Sequence, residues 1–166
     1  METFALAEDQ QDARARATRL FERVRAELER ALPAGCEVLH VGATAIDGCL
    51  TKGDLDLVVR CEQPYFEQAD KILAERFDRN SGSVRTATFS AFEHHGTAPE
   101  MGVQLTTKGG DLDVFHLFAS ALRSDPDLVT RYNELKRSYE GRPMDDYRTA
   151  KGAFVSSVLN KGSKRG

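Results

Sequence analysis

The sequence lacks most features that would assign a chemistry outright. No apolar run approaches the roughly 18 residues a membrane helix needs. The opening METFALAEDQQDARARATRL does not follow the basic-then-apolar order of a secretory signal, so a soluble, cytoplasmic protein is expected. The formal net charge is only −3, which offers no general attraction to a polyanion and no support for nucleic acid as a partner. Cys36, Cys49 and Cys61 form neither a CxxC nor a Cys/His ligand spacing, and an odd number leaves at least one thiol unpaired, as suits a reducing compartment. His40, His94, His95 and His116 do not form HExxH, and Ser81 and Ser83 lie in no GxSxG elbow, so zinc hydrolysis and acyl transfer have no motif. There is no repeat or low-complexity tract.

What remains is an ordinary globular chain. With 166 residues, 40% hydrophobic and 30% charged, one domain spanning 1–166 can bury a core without disulfides or a structural metal. Residues 1–35 are expected to form an N-terminal helix: Ala13, Ala17, Leu20, Phe21, Val24, Leu28 and Leu32 recur at three- and four-residue steps before Pro33 and Gly35. Residues 36–118 read as a sheet core, with strands at 36–41 and 55–60, a helix at 64–77, and strands at 84–92, 102–107 and 112–118. Residues 119–160 read as a pair of C-terminal helices, the first capped by Ser124 and running to about Tyr139, the second from Tyr147 to Leu159. Residues 161–166 are expected to be a mobile tail.

One stretch carries chemistry. From His40 to Val59 the chain reads HVGATAIDGCLTKGDLDLVV: a glycine turn, then two carboxylates two positions apart in a strand. Alternation sets Asp54 and Asp56 on one face, where they could hold Mg²⁺ or Mn²⁺. Two cations about 4 Å apart stabilise both the attacking and the leaving oxygen of a nucleotidyl transfer, and a third carboxylate is best sought on a neighbouring strand. Asp113 in LDVFHLF is the expected third ligand, with Asp111 as its rival or supporting partner. Gly42, Ala43 and Thr44 would offer backbone amides and a hydroxyl to a triphosphate, strengthened by the positive end of a helix starting there. Lys52, just before the acids, could meet a phosphate. Lys136 and Lys151, each four residues after a tyrosine (Tyr132 and Tyr147), could bring a helix face to a bound nucleotide.

These residues resemble the GrpB family, within the DNA polymerase beta-like nucleotidyltransferase superfamily. The segment above is similar to the family's HxGSTxVPGLxxKPxIDIxV at His40, Gly42, Thr44, Gly48, Lys52 and Asp56. The later DPDLVTRYNELKRSYEGRPMDDYRTAKGAFVSSVL resembles its helical ending through Tyr132, Leu135 and Lys136, then Tyr147, Lys151 and Phe154. Ala43 stands where the family has serine, Asp47 and Gly53 replace prolines, and Asp54 replaces an apolar residue, restoring a DxD pair. The resemblance implies an α+β fold: a mixed, mostly antiparallel sheet with helices packed on it. It also implies metal-dependent transfer of a nucleoside monophosphate from an NTP to an unidentified hydroxyl acceptor. Two alternatives stand beside it: a noncatalytic nucleotide- or partner-binding module, and an RNA-processing or antitoxin-like module. The sequence leaves the oligomeric state open.

Overall fold

A computed structural model describes residues 1–96 and 98–164. Helix α1, Gln10–Ala31, starts where the Asp9 carboxylate accepts the Asp12 N–H at 2.9 Å. It buries Ala17, Phe21, Val24 and Leu28, the stripe the periodicity predicts. Leu32 turns extended ahead of Pro33, and β1, Cys36–Val41, follows. A 3₁₀ turn at Ala43–Ala45 and a loop lead to β2, Leu55–Cys61. Then come α2, Phe66–Arg76, and the strands β3, Asp78–Arg79, β4, Phe89–His94, and β5, Met101–Thr107. The chain closes with α3, Phe115–Ser124, α4, Pro126–Tyr139, and α5, Met144–Lys164.

The five strands form one sheet in the order β1-β2-β5-β4-β3. Among the described residues only the β2–β5 pair is parallel, so the sheet is mixed and mostly antiparallel, as expected. One face carries Leu55, Leu57, Val59, Val103, Leu105 and Phe92 against α1 and α2. The other carries Val41 and Val58 against the C-terminal helices. Because β2 is covered on both faces, it reads as an almost unbroken apolar run, interrupted on the second face by Asp56 and Arg60. A small third cluster docks Phe4 on Tyr147, ring centroids 3.8 Å apart.

Four expectations are corrected. Residues 112–118 form a turn and the start of α3 rather than a strand: Phe115, Phe118, Ala119 and Leu122 follow a helical period and pack as one face. The C-terminal part therefore holds three helices, not two. The cap of α4 is Asp125, whose carboxylate accepts the Leu128 N–H at 3.2 Å, while Ser124 ends α3. Helix α5 continues through Lys164, so most of the expected tail is helical, and residues 165 and 166 lie outside the described residues. Finally, Cys36 and Cys61, paired across β1 and β2, are joined as a disulfide, and Cys49 is the free, buried thiol. The cysteine count therefore does not carry the expected reducing compartment. Among the described residues no helix is long and apolar enough to cross a membrane.

Candidate active site

The glycine turn and the acid strand meet directly. Gly42 has φ +77°, a left-handed conformation that β-carbon-bearing residues avoid, and a β-carbon placed there would lie 2.6 Å from Asp56 Oδ2. On the other flank, a β-carbon at Gly102 of β5 would lie 2.9 Å from Asp56 Oδ1. The carboxylate thus fills the space that two glycines leave open. In register, Asp56 pairs with Val41 and Gly102, which fixes it on the face shared with the C-terminal helices. Among the described residues its carboxylate accepts no hydrogen bond and forms no ion pair. Burial pushes its carboxyl above the ordinary range, opposed most strongly by the Lys151 charge.

Asp54 stands on the loop entering β2, its Oδ2 3.0 Å from Lys52 Nζ. Asp54, Asp56, Lys52 and Lys151 all line a cavity of about 430 Å³ that opens over β2, β5 and β4. A smaller cavity of about 170 Å³ adjoins it, sharing Asp56, Lys151 and Gln104 and walled by Phe115, Phe118 and Tyr132. Of the sequence-based candidates, Gly42, Asp54, Asp56, Lys52 and Lys151 come together.

The others do not. Asp113 lies toward the opposite end of β2, 7% exposed. It accepts from Arg60 Nε and Nη2, both at 2.7 Å, from Thr106 Oγ1 at 3.1 Å and from the Gly109 N–H at 2.9 Å. Burial alone would raise its carboxyl, but these donors, Arg60 foremost, hold it at about 2. Its carboxylate is fully used in closing the turn after β5. Asp113 is therefore misplaced as the third ligand. Asp111, its rival, is exposed in that same turn.

Lys136 is 2% exposed. Its ammonium donates to Leu50 O, lies 3.2 Å from Cys49 Sγ and sits 3.9 Å above the Tyr132 ring, so it anchors the loop before Lys52 rather than reaching the cavity. Thr44 is likewise turned inward. Its hydroxyl donates to Asp54 O at 3.2 Å, so it accepts from His40 Nε2 at 2.9 Å, and none of it faces the cavity. Ala43 packs in the apolar cluster below. The turn spans only Ala43–Ala45, so it brings its first amides but no long helix dipole.

Two hard carboxylates, a neighbouring lysine and a cradled, unpartnered oxygen pair fit one divalent cation carried on a triphosphate, the usual way Mg²⁺ is held. Of the strands beside β2, β5 supplies no acid and β1 only Glu37, which pairs with Arg60 at the far end of β2. Two positions along from Gly102 on the same face of β5 stands Gln104, paired with Val58, and on β1 the corresponding residue is Leu39. Among the described residues no three His, Cys, Asp or Glu side chains converge as metal ligands. Sequence reasoning missed Gln104 because MGVQLTT carries no acid to mark it.

Known proteins agree with this architecture. The sequence profile of the GrpB protein family matches residues 11–161. A UPF0157 protein of Vibrio cholerae is 32% identical over 143 residues, covering 86% of this chain and 75% of its own length. The crystal structure of the conserved protein GrpB from Enterococcus faecalis superposes with a TM-score of 0.72 at 21% identity, covering 90% of this chain and 93% of that one. The Cid1 poly(U) polymerase bound to Mg and 3′-dATP superposes with a TM-score of 0.52 at 13% identity, over 79% of this chain and 40% of that one. At that identity the likeness shows the nucleotidyltransferase-like fold alone.

Proposed function

We propose, from the premise that this chain belongs to the GrpB family, that its cleft binds a nucleoside triphosphate with Mg²⁺ or Mn²⁺. The chemistry this serves is transfer of the nucleoside monophosphate to a hydroxyl acceptor. The observation that carries the reading is the Asp56 carboxylate, unpartnered and wedged between Gly42 and Gly102, with Asp54 two residues before it. With no hydrogen-bond donor of the protein on it, the carboxylate has its oxygens free for a cation.

In this reading Asp54 and Asp56 hold the cation, and Lys52 exchanges its contact with Asp54 for one with a phosphate. A bound divalent ion would neutralise the triphosphate and the charge that develops on the pyrophosphate leaving group. Lys151 lies beside Asp56 and adds a positive charge on the other flank. The amides of Gly42, Ala43 and Thr44 face the phosphates, and the buried Thr44 hydroxyl fixes the turn to Asp54 instead of touching substrate. Positioning and charge stabilisation are what phosphoryl chemistry chiefly asks of a protein.

A second reading is favoured by Gln104: with a neutral amide on the strand beside Asp56, the site binds nucleotide without turning it over. One experiment separates the two. Calorimetric titration of Mg·ATP and Mg·GTP into the wild type, Asp54→Asn and Asp56→Asn should show binding only in the wild type; equal binding in all three would end both readings. Pyrophosphate release across small alcohols, aminoglycosides, protein hydroxyls and RNA ends then decides for transfer. Tight binding with no release on any acceptor decides for the binding module.

A further inference from the structure

We infer that the open edge of β1 is a docking groove for an extended, acidic peptide segment, which adds to the sheet as a further strand. β1 is the last strand on its side of the sheet. Glu62 N–H donates to Gly35 O at 3.0 Å, one step before Cys36 meets Cys61, so alternation along this antiparallel pair turns the backbone groups of Glu37, Leu39 and Val41 toward β2. Those of Val38 and His40 turn away from it. Among the described residues the N–H and C=O of Val38 and His40 have no partner, which leaves donors and acceptors in the spacing that another strand would match.

The edge is walled rather than flat. A groove of about 210 Å³ runs along β1 from Val38 to Val41, with α1 on one side and α3 on the other. On the α1 side Phe21 stacks on the His40 ring, centroids 4.9 Å apart, and on the α3 side Ala119 packs with Leu39 and Val41. A strand laid between the helices sends successive side chains to opposite walls.

Each wall carries one arginine. Arg25 of α1 and Arg123 of α3 are exposed at the groove, and no carboxylate lines it. Arg25 meets only the exposed Glu29, 3.0 Å away along α1, and Arg123 gives one N–H to Ala45 O at 3.2 Å. Surface contacts of this kind exchange readily. The acids next along the chain, Glu37 and Asp113, are both held by Arg60. Burial, helped by Arg123 at His40 and by Arg60 at His116, lowers both histidines of the groove, His40 to about 4, so the two arginines set its charge at neutral pH. An acidic side chain on each face of an incoming strand therefore meets a guanidinium while the backbone pairs with β1. A second copy docked edge to edge would instead set basic groove against basic groove. The groove shares no residue with the 430 Å³ cavity, so a peptide here leaves the nucleotide site open.

The test selects phage-displayed random peptides of about ten residues on the full chain. Enriched sequences should be rich in Asp and Glu, with acids on both faces of an extended chain. Synthetic copies should protect the Val38 and His40 amides from hydrogen exchange, bind less tightly as salt rises, and lose about tenfold or more in affinity for the double variant Arg25→Glu, Arg123→Glu. Both arginines are exposed, so that variant should melt as the wild type does. Val38→Pro, which deletes one outward donor at an edge where proline is tolerated, should weaken binding as well. No enrichment of acidic sequences, equal affinity for the double arginine variant, or protection confined to other segments overturns the groove. Dimerisation of the free protein that protects the same two amides also overturns it and hands the edge to a second copy.

Discussion

Replacing Asp113 and Asp56 by asparagine, one at a time, should move stability and nucleotide binding in opposite directions. Asp113 accepts four hydrogen bonds, two of them from Arg60, and is almost fully enclosed. Its carboxyl sits at about 2 against an ordinary 3.8. At about 1.4 kcal/mol per pKa unit, that difference is about 2 kcal/mol of stability at neutral pH. An asparagine cannot accept both Arg60 donors and leaves part of a half-buried guanidinium unpaired, which brings the total loss to about 3 kcal/mol. For a chain of this size the melting temperature should fall by roughly 6–12 °C. Because the folded-state carboxyl is held below its unfolded value, the ionisation part is complete above about pH 4 and fades as pH falls toward 2. The gap between wild type and Asp113→Asn should narrow in that window. Mg·ATP affinity of the folded variant should stay within about twofold of wild type. Asp56→Asn should do the reverse: unchanged or higher stability, since it removes a half-buried carboxylate that makes no hydrogen bond or ion pair within the described residues, and loss of Mg·ATP binding. Denaturant titration followed by circular dichroism, with calorimetry for binding, measures both. A stable Asp113→Asn that no longer binds nucleotide would refute the separation drawn between these two acids.

Lys136 is protonated at a cost, burial lowering it to about 8. The unfolded chain therefore binds the extra proton above that point, and stability should rise by about 2 kcal/mol between pH 8 and 10, a rise absent in Lys136→Met. Gly42→Ala forces a left-handed φ and a contact with Asp56 Oδ2; a loss of about 1–3 kcal/mol and abolished Mg·ATP binding are expected by thermal melts and calorimetry. Phe4→Ala removes the stack on Tyr147 and should cost about 3 kcal/mol, with faster hydrogen exchange at the Phe4 and Gly141 amides, which close the backbone contacts of that segment.

Local chemistry carried much of this protein. The three- and four-residue spacing of α1, the apolar run of β2 and the glycine turn ahead of two acids are short-range signals, and the structure keeps each. The resemblance of His40 to Val59 to the GrpB pattern already named the fold. Where LDVFHLF was expected as a strand, the reading failed for a local reason too: its helical period continues past Phe118 into Ala119 and Leu122, and that longer window outweighs the β-like composition. What one dimension does not hold is register. Whether Asp113 shares the cleft with Asp56 depends on which strands lie side by side and on where the turn after β5 returns to β2, contacts between residues some 50 positions apart in the chain. Burial turned Thr44 and Lys136 from ligands into struts for the same reason: their hydroxyl and ammonium found partners that only the packed chain brings near.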